Sequence, residues 1–337
     1  MVSIRASGLK LPPGLHVGLF CIQSFPRSFL IPMKRTPRIV IVGVAGRLGQ
    51  ALRQQLSNDA EVIGLARPGI DLASPASIHA ALDSLDFDHL ILPAAMTAVD
   101  ACESDPAQAF AINAEAPGLI AEICASKGAH LTHFSTDFVF DGEKSGSYQE
   151  NDPSHPLGVY GASKRMGEER VLAASADHLV VRISWLYGPG KAAFPEWIVE
   201  KACKESTLAL PGDKIGCPAL STDVAAMLLP LLGLAGGPRA GGIFHLCNSG
   251  PTTWRDWGQA CIDLAREAGA PIRAEKITAN TLADIPAFVA KRPPNSALDV
   301  SKYHSFTGVL PRAWQEALRS HIVSDAFLFP YRAAAHG

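Results

Sequence analysis

The segment that decides the fold class reads Arg38-Ile-Val-Ile-Val-Gly-Val-Ala-Gly-Arg-Leu-Gly49. Its first half is an unbroken run dominated by β-branched residues, which is typical of a parallel strand buried on both faces. Its second half carries Gly43, Gly46 and Gly49, and the leucines that follow recur once per helical turn. The segment therefore predicts a buried strand, a tight glycine turn and a helix in direct succession.

The same alternation of strand and helix patterns continues along the chain. Strand patterns lie at residues 61–66, 89–93, 130–135 and 179–183, with helix patterns at residues 77–85, 107–127 and 164–173 between them. Alternating strands and helices imply right-handed crossovers and a parallel sheet. After Gly188 the rhythm ends; the patterns there indicate helices within 189–216 and at 222–234 and a late strand at 242–247. We therefore predict an α/β fold: a Rossmann-type doubly wound parallel sheet with a small C-terminal lobe.

The glycine turn has the composition of a phosphate-binding loop. Glycines allow a tight turn, close approach of the backbone to a pyrophosphate, and close packing of helix on strand. The N-terminus of the following helix presents unpaired N–H groups and the positive end of a dipole to an anion. We therefore predict that the loop binds a nicotinamide dinucleotide. The residues expected to hold its pyrophosphate are Gly43, Gly46, Arg47, Leu48 and Gly49.

The end of the second strand bears on the choice of dinucleotide. NAD enzymes usually place an acid there to bind the ribose 2′-hydroxyl, whereas this chain reads Gly64-Leu-Ala-Arg67. A guanidinium suits a 2′-phosphate. We therefore predict NADPH as the cofactor, with NADH as the alternative, and Arg67 as a cofactor-binding residue. Asp71 and Leu72 follow, at the place where related enzymes have an Asp near the adenine amino group.

A tyrosine and a lysine one helical turn apart, Tyr160 and Lys164, open the helix before the fifth strand. A nearby ammonium favours the phenolate and is expected to bring the pKa of the tyrosine towards the working range. Ser135 and Thr136 end the fourth strand, at the sheet edge where ligands of doubly wound sheets bind. The set predicts carbonyl reduction, in which Tyr160 donates a proton and Thr136 hydrogen-bonds the carbonyl oxygen.

These motifs resemble those of the dTDP-4-dehydrorhamnose reductase family, which are extended short-chain dehydrogenases of nucleotide-sugar biosynthesis. The resemblance runs from about Arg38 to Ile322. The stretches that carry it are Ala94-Ala-Met-Thr-Ala-Val-Asp100, Ser135-Thr-Asp-Phe-Val-Phe-Asp-Gly142, Val159-Tyr-Gly-Ala-Ser-Lys164, Arg182-Ile-Ser-Trp-Leu-Tyr-Gly188 and Arg292-Pro-Pro-Asn-Ser-Ala-Leu-Asp299. It implies NADPH-dependent reduction of the C4 ketone of a dTDP-6-deoxy-4-ketohexose, from dTDP-4-dehydro-L-rhamnose to dTDP-L-rhamnose.

The resemblance also implies roles for individual residues. Tyr160 and Lys164 match the catalytic pair, and Thr136 matches the hydroxyl that polarises the ketone. The residues expected beside the ribose and nicotinamide of the cofactor are Ala94, Ala95, Thr97, Ser135, Tyr160 and Lys164. Those expected to contact the sugar nucleotide are Thr136, Trp185, Arg292 and Asn295. Asn113 matches a helix asparagine of the superfamily, for which a structural role is the alternative.

The chain departs from the family pattern in its substrate lobe. The family commonly has Asp-Gln-x-Gly-x-Pro-Thr where this chain reads Asp213-Lys-Ile-Gly-Cys-Pro-Ala219, and Met96 replaces a residue that is usually aromatic or His. One alternative is therefore a reductase or epimerase of another nucleotide sugar. Another is a non-catalytic NADP-binding regulatory subunit, against which the intact catalytic set argues.

We divide the chain into three parts. Residues 1–36 contain no Asp or Glu and are expected to be a disordered leader, either a targeting segment or the result of a misassigned start. Residues 37–190 and 215–250 are assigned to the NAD(P)-binding Rossmann domain. Residues 191–214 and 251–325 are assigned to the substrate-binding lobe.

Composition argues against several classes of partner. The net charge of −2 gives no reason to expect nucleic acid or a membrane surface, and no apolar run approaches the length of a membrane span. The seven cysteines have no CxxC spacing and the histidines have no metal-ligand spacing. We therefore expect free thiols in a reducing compartment, a cytoplasmic protein and no metal site, and we leave a homodimer open.

Overall fold

The computed structural model describes residues 35–234, 236–285 and 288–334, so nearly all of the predicted leader lies outside the described residues. Its strands are β1 (Arg38–Val42), β2 (Glu61–Leu65), β3 (His89–Leu92), β4 (His130–Thr136), β5 (Leu179–Ile183), β6 (Leu186–Tyr187), β7 (Leu208–Pro211), β8 (Ile215–Gly216), β9 (Ala219–Leu220), β10 (Gly242–His245), β11 (Thr252–Thr253) and β12 (Ile277–Asn280). Its helices are α1 (Arg47–Leu56), α2 (Pro75–Leu82), α3 (Val99–Ser104), α4 (Pro106–Phe110), α5 (Ala116–Ser126), α6 (Val159–Ala174), α7 (Phe194–Lys204), α8 (Ser221–Leu232), α9 (Trp254–Glu267), α10 (Ser301–Thr307), α11 (Trp314–Ile322) and α12 (Asp325–Ala334).

Six strands form one parallel sheet in the order β10-β5-β4-β3-β1-β2. The order reverses between β1 and β3, because the chain first moves outward to β2 and then returns to the other side of β1. Ligands of such sheets bind in the crevice outside the carboxyl ends of the strands at this reversal. The predicted doubly wound parallel sheet is confirmed, and the glycine turn after β1 lies at the reversal.

Alternate residues of β1 face two hydrophobic clusters. Ile39 and Ile41 join a cluster that includes apolar residues of α1 and α8. Val40 and Val42 join a cluster that includes apolar residues of α2 and α5. All four side chains are almost completely buried, and each such burial contributes about 1.5–3 kcal/mol. Two clusters on opposite faces explain why the strand is apolar throughout rather than alternating.

A third hydrophobic cluster lies among α7, α9 and α11. Its aromatic centre is Trp257, which stacks on Phe194 with 4.4 Å between ring centroids and on Trp185 with 5.4 Å. The pairs β12–β7 and β11–β8 belong to the same part of the chain. This cluster therefore supports Trp185, one of the residues expected beside the substrate.

Three predicted helices differ from the structure at their ends or in their interior. The helix expected at residues 164–173 begins at Val159, whose N–H donates to Glu103 Oε1 at 2.7 Å, so a tertiary contact caps it. The helix expected at residues 107–127 contains a π-helical turn at residues 111–115. Pro117 has no N–H for the carbonyl of Asn113, which removes one α-helical bond there. The helix expected within 189–216 ends at Lys204, and the chain then forms β7 and β8 because these strands find partners in β12 and β11.

Candidate active site

The glycine turn after β1 is shaped by close backbone contacts. Gly43 has φ +100°, and a Cβ there would lie 2.8 Å from the Cβ of Ala94. A Cβ on Gly49 would lie 2.7 Å from the Cα of Val44 and would collide with the carbonyl of Gly43. The N–H of Gly43 donates to the carbonyl of Leu65 at 2.7 Å, which joins the ends of β1 and β2. Glycine is therefore required at both positions for this turn to form.

The N-terminus of α1 is suited to an anion. Gly46 is the N-cap, no side chain caps the helix, and the first turn contains no acid. The backbone N–H groups of the first turn can therefore bind phosphate oxygens. The side chain of Arg47 points elsewhere: its guanidinium donates to the carbonyls of Gly188 at 3.1 Å, Leu186 at 3.5 Å and Lys191. Leu48 is buried in the core, so both residues can serve a pyrophosphate only through their backbone.

The residues after β2 form the adenosine end of the predicted cofactor site. Arg67 is exposed, as the prediction of a 2′-phosphate contact requires. The carboxylate of Asp71 accepts from the backbone N–H of Ala73 at 3.0 Å, and Leu72 packs at the edge of the sheet core. The cofactor contacts of these three residues stay predictions.

The side chain of Asn113 is hydrogen-bonded to the loop after β3. The side-chain oxygen of Asn113 accepts from the N–H of Met96 at 2.9 Å, and its amide donates to the carbonyl of Met96 at 3.0 Å. Ala94 donates its N–H to Val42 at 3.2 Å. Ala95 is half-buried and Thr97 is exposed. Asn113 thus positions the loop that is expected to pass the ribose and nicotinamide.

The predicted proton donor and the predicted carbonyl-binding hydroxyl meet at the carboxyl end of β4. Thr136 is the last residue of β4, and Tyr160 lies in the first turn of α6; both side chains are buried. The hydroxyl of Thr136 lies close enough to the phenol to lower the pKa of Tyr160. The ring of Tyr160 contacts Phe138 edge to face, with 5.5 Å between centroids. The side-chain oxygen of Ser135 is buried and has no hydrogen-bond partner among the described residues.

The expected effect of Lys164 on Tyr160 is corrected by the structure. Burial raises the pKa of Tyr160 well above its ordinary value; the hydrogen bond with Thr136 opposes this rise, and the charge of Asp137 adds to it. The ammonium of Lys164 donates to the carbonyl of Phe134 at 2.6 Å. Tyr160 is therefore protonated at neutral pH, which is the state that a proton donor needs.

Lys164 itself is surrounded by protein. Its Nζ lies 3.2 Å from Nε2 of His133, and both side chains are buried. Burial lowers the pKa of Lys164 to about 7, opposed by the charge of Glu168. Burial, and then the charge of Lys164, lower the pKa of His133 well below its ordinary value, so this imidazole is neutral.

Asp137 connects Thr136 to the C-terminal part of the chain. Its carboxylate accepts from the hydroxyl of Thr136 at 3.1 Å, from that of Ser184 at 2.9 Å and from that of Ser296 at 2.5 Å. Ser296 in turn accepts from the ammonium of Lys214 at 2.8 Å. Sequence reasoning identified neither Asp137 nor Ser296 as site residues, although both lie inside quoted motifs.

The backbone of Trp185 has an unusual conformation. Its φ is +38°, a left-handed value that is uncommon for a bulky residue and that often marks a functional site. A Cβ on Gly216 would overlap the indole, so the ring lies directly on this glycine. The indole nitrogen is buried without a hydrogen-bond partner among the described residues.

The two predicted substrate residues of the late loop have protein partners. Arg292 donates to both carboxylate oxygens of Asp100, at 3.2 and 2.8 Å, and its guanidinium lies 3.6 Å from the ring centroid of Phe288. The amide of Asn295 donates to the carbonyls of Lys144 and Gly146 at 2.8 and 2.7 Å. Asn295 therefore holds the loop around residue 145, and a direct contact with substrate stays a prediction.

Two further features concern the part of the chain that the structure describes. Within it, no group of three or more His, Cys, Asp and Glu side chains is arranged to hold a metal ion. No helix in that part has both the length and the apolar character needed to cross a membrane.

Comparison with known proteins gives matches over most of the chain. A family model described as the RmlD substrate binding domain matches residues 37–326. A dTDP-4-dehydrorhamnose reductase of Aggregatibacter actinomycetemcomitans is 33% identical over 287 residues, which cover 84% of this chain and 97% of that protein. A Streptomyces antibioticus protein named as a probable dTDP-4,6-dihydroxy-2-methyloxan-3-one 4-ketoreductase is 34% identical over 285 residues, 84% of this chain and 93% of that protein. The crystal structure of a dTDP-4-dehydrorhamnose reductase from Bacillus anthracis in complex with NADP is similar with a TM-score of 0.78 at 24% identity, covering 86% of this chain and 99% of that one.

Proposed function

The chain belongs to the family of the RmlD substrate binding domain, and from this premise we propose that it is an NADPH-dependent reductase of a nucleotide-sugar ketone. The substrate that the relatives' names favour is dTDP-4-dehydro-L-rhamnose, whose C4 ketone becomes the alcohol of dTDP-L-rhamnose. The observation that carries the proposal is that the buried Tyr160 and Thr136 meet at the carboxyl end of β4. A phenol and a second hydroxyl at one point are what a carbonyl oxygen needs as it becomes an alcohol.

The cofactor site fits NADPH on three observations. The glycine turn after β1 has the close backbone contacts at Gly43 and Gly49 that a phosphate-binding turn needs. The uncapped N-terminus of α1 provides N–H donors for it. The unpartnered hydroxyl of Ser135 stands beside the catalytic pair, where the nicotinamide end would lie. When bound, NADPH supplies the hydride for the ketone carbon.

Residues of the chain itself transfer the proton to the ketone oxygen. Tyr160 donates its phenolic proton to the ketone oxygen, and its raised pKa keeps that proton available at neutral pH. The hydroxyl of Thr136 is held by a 3.1 Å bond to Asp137, longer than the usual O–H···O distance of about 2.7–2.8 Å, so it can turn towards the ketone. Lys164, one helical turn from Tyr160 and with a pKa near neutrality, is the residue we assign to the return of a proton.

Three residues support the substrate side. Trp185 forms an aromatic wall that rests on Trp257, and it is the surface we assign to the sugar ring. Arg292 is the cation we assign to the substrate diphosphate, since a guanidinium binds phosphate oxygens in pairs. Asn295 lies on the same loop as Arg292, and we assign its amide to a contact with the sugar nucleotide. In this proposal, residues 37–190 and 215–250 form the cofactor domain, and residues 191–214 and 251–325 form the substrate lobe.

The location and assembly we propose follow from weaker features. Six cysteines within the described ranges are free thiols, and five of these are buried. Free thiols persist in reducing compartments, so we propose that the protein acts in the cytoplasm. A homodimer is the assembly we would test first.

The proposed function is tested by NADPH oxidation with enzymatically generated dTDP-4-dehydro-L-rhamnose, run beside Tyr160→Phe. We expect turnover by the natural chain, a loss of at least about a hundredfold in kcat for the variant, and unchanged NADPH binding. Thr136→Val should lose activity in the same way, because it removes the hydroxyl while keeping the shape.

A panel of 4-keto sugar nucleotides decides between the favoured substrate and another sugar. The second candidate is favoured by Lys214 and Ala219, where the family commonly has Gln and Thr, and by the different sugar in the name of the Streptomyces relative. Turnover of another sugar alone would correct the substrate and leave the chemistry. Binding of NADPH without turnover of any ketone would overturn the enzyme proposal and favour a regulatory subunit.

A further inference from the structure

Lys214 is a fully buried lysine close to the catalytic residues. Its side chain has no solvent exposure, and its Nζ lies 5.5 Å from the ring centroid of Phe138 and 5.9 Å from that of Trp185. Phe138 is the ring that contacts Tyr160. An ammonium without water must have protein partners, since a buried charge without them is very unfavourable.

Those partners place Lys214 in a chain of hydrogen bonds. Its Nζ donates to the carbonyl of Pro293 at 2.6 Å and to the hydroxyl of Ser296 at 2.8 Å. Ser296 has two candidate acceptors for its single hydrogen: Asp137 Oδ2 at 2.5 Å and the carbonyl of Ile215 at 3.4 Å. Because an ammonium can only donate, it occupies a lone pair of Ser296 and leaves the hydrogen of Ser296 for Asp137.

The chain of hydrogen bonds ends at the catalytic threonine. Asp137 is almost completely buried and accepts from Thr136 through Oδ1 and from Ser184 and Ser296 through Oδ2. The negative charge of Asp137 raises the pKa of Lys214, against the larger effect of burial, which brings it to about 8. The two buried charges are therefore linked through one serine hydroxyl.

We propose that Lys214 is a positioning residue of the active site: by donating to Ser296 it fixes the carboxylate of Asp137, and so places the hydroxyl of Thr136 beside Tyr160. It does not touch the ketone, since it is enclosed by Phe138, Trp185 and the 293–296 segment. The proposal rests on the proposed roles of Thr136 and Tyr160. Position 214 requires a hydrogen-bond donor to Ser296. The glutamine that the family commonly has there is also such a donor.

Two substitutions separate the donor from mere filling of space. Lys214→Met keeps the length of the side chain but cannot donate, whereas Lys214→Gln can still donate to Ser296. We expect kcat to fall roughly tenfold to a hundredfold in Lys214→Met, less than for loss of Thr136 itself, and to stay within about threefold of the natural value in Lys214→Gln. KM for the sugar nucleotide and the affinity for NADPH should stay within about twofold in both.

Matched controls exclude a general effect of removing a lysine. Lys302 also donates to a backbone carbonyl, that of Ile243 at 2.6 Å, and lies over an aromatic ring, but its partners lie outside the catalytic network. Lys302→Met should therefore keep the natural kcat. If Lys214→Met does not fold, Ser296→Ala breaks the same connection while Lys214 keeps its bond to Pro293, and the same loss of kcat is expected.

Crystal structures of the two Lys214 variants test the positioning without any substrate, and so independently of the proposed function. In Lys214→Met we expect Asp137 to leave Ser296 and the contact between Thr136 Oγ1 and Asp137 Oδ1, 3.1 Å here, to change. In Lys214→Gln both contacts should persist. Unchanged Asp137 and Thr136 in Lys214→Met, or a natural kcat, would overturn the proposal. A natural chain that reduces no sugar nucleotide would overturn the proposed function, while the structures would still decide the placement of Thr136.

Discussion

The Nζ atom of Lys164 lies 3.2 Å from the Nε2 atom of His133 in the interior of the protein. Since the imidazole is neutral, Nε2 accepts from the ammonium and Nδ1 carries the proton. Nδ1 is buried and has no partner among the described residues. A buried N–H without a partner lowers the stability of the fold. We therefore infer that the contact between His133 and Lys164 serves function rather than stability.

Replacing His133 should therefore impair Lys164. In His133→Leu the ammonium keeps only the carbonyl of Phe134, and we expect kcat/KM to fall roughly tenfold because the lysine is less well placed. His133→Gln restores an acceptor and should recover most of the loss. Steady-state kinetics of the two variants make the comparison. Equal activity in His133→Leu and the natural protein would show that the carbonyl of Phe134 alone positions Lys164.

The exposed Arg67 should select NADPH over NADH. A hydrogen bond to a charged group contributes about 1.5–3 kcal/mol, so Arg67→Ala should raise the Kd for NADPH roughly tenfold or more. The Kd for NADH, which has no 2′-phosphate, should change less than about twofold. Titration of cofactor fluorescence measures both. Arg53→Ala, which removes an exposed arginine from α1, is the control. An equal loss for both cofactors would place Arg67 elsewhere than at the 2′-phosphate.

Local patterns in the sequence predicted the elements that carry the site. The strand 38–42, the glycine turn and the alternation that follows are encoded by short-range apolar runs and glycines, and the structure has them within a residue or two. The one-turn spacing of Tyr160 and Lys164 predicts that both lie on one face of a helix, and both side chains are buried on α6.

Contacts between distant segments could not be predicted in this way. The expectation of a lowered pKa for Tyr160 was wrong, because the spacing of two residues in a helix does not show how deeply the phenol is buried. The substitution at Lys214 was visible in the sequence as a departure. Its bond to Ser296 was not, since the two residues are brought together only by the pairing of residues 215 and 295.

Buried histidines at the amino ends of the strands should make the protein sensitive to acid. His89 begins β3, His130 begins β4 and His178 precedes β5, with 5.3 and 6.0 Å between successive ring centroids. Burial, more than the charge of Arg239, lowers the pKa of His89 to about 4, while the charge of Asp88 opposes this. Burial lowers the pKa of His130 to about 3, helped by His89, Arg239 and His178 and opposed by the bond to Asp177.

The sign of the pH effect follows from these lowered values. Below the ordinary histidine pKa of about 6.5 the unfolded chain binds protons that the folded chain refuses, so stability falls as the pH drops from about 6.5 towards 4. Each such histidine adds up to about 1.4 kcal/mol per pH unit to the slope. Urea unfolding between pH 7 and pH 5 measures it. We expect a shallower slope for His89→Leu and an unchanged slope for the exposed His304→Gln. Identical slopes in all three proteins would show that the strand-end histidines do not control acid stability.

The ion pair of Asp100 and Arg292 should compete with the substrate diphosphate. Asp100 accepts from Arg292 and from the N–H groups of Val289 and Ala290, and the hydrogen bond from Arg292 is the largest cause that lowers its pKa, to about 2. Asp100→Asn keeps an oxygen for the two N–H groups but removes the charge that holds Arg292. We therefore expect dTDP to bind roughly two- to fivefold more tightly at low salt, and this gain to shrink as added salt screens the charges.

Arg292→Gln should weaken the binding of dTDP at least about tenfold, because the diphosphate loses its paired donor. Calorimetric titration at two salt concentrations gives both numbers. Weaker binding in Asp100→Asn would show that Asp100 orients Arg292 for the ligand instead of competing with it.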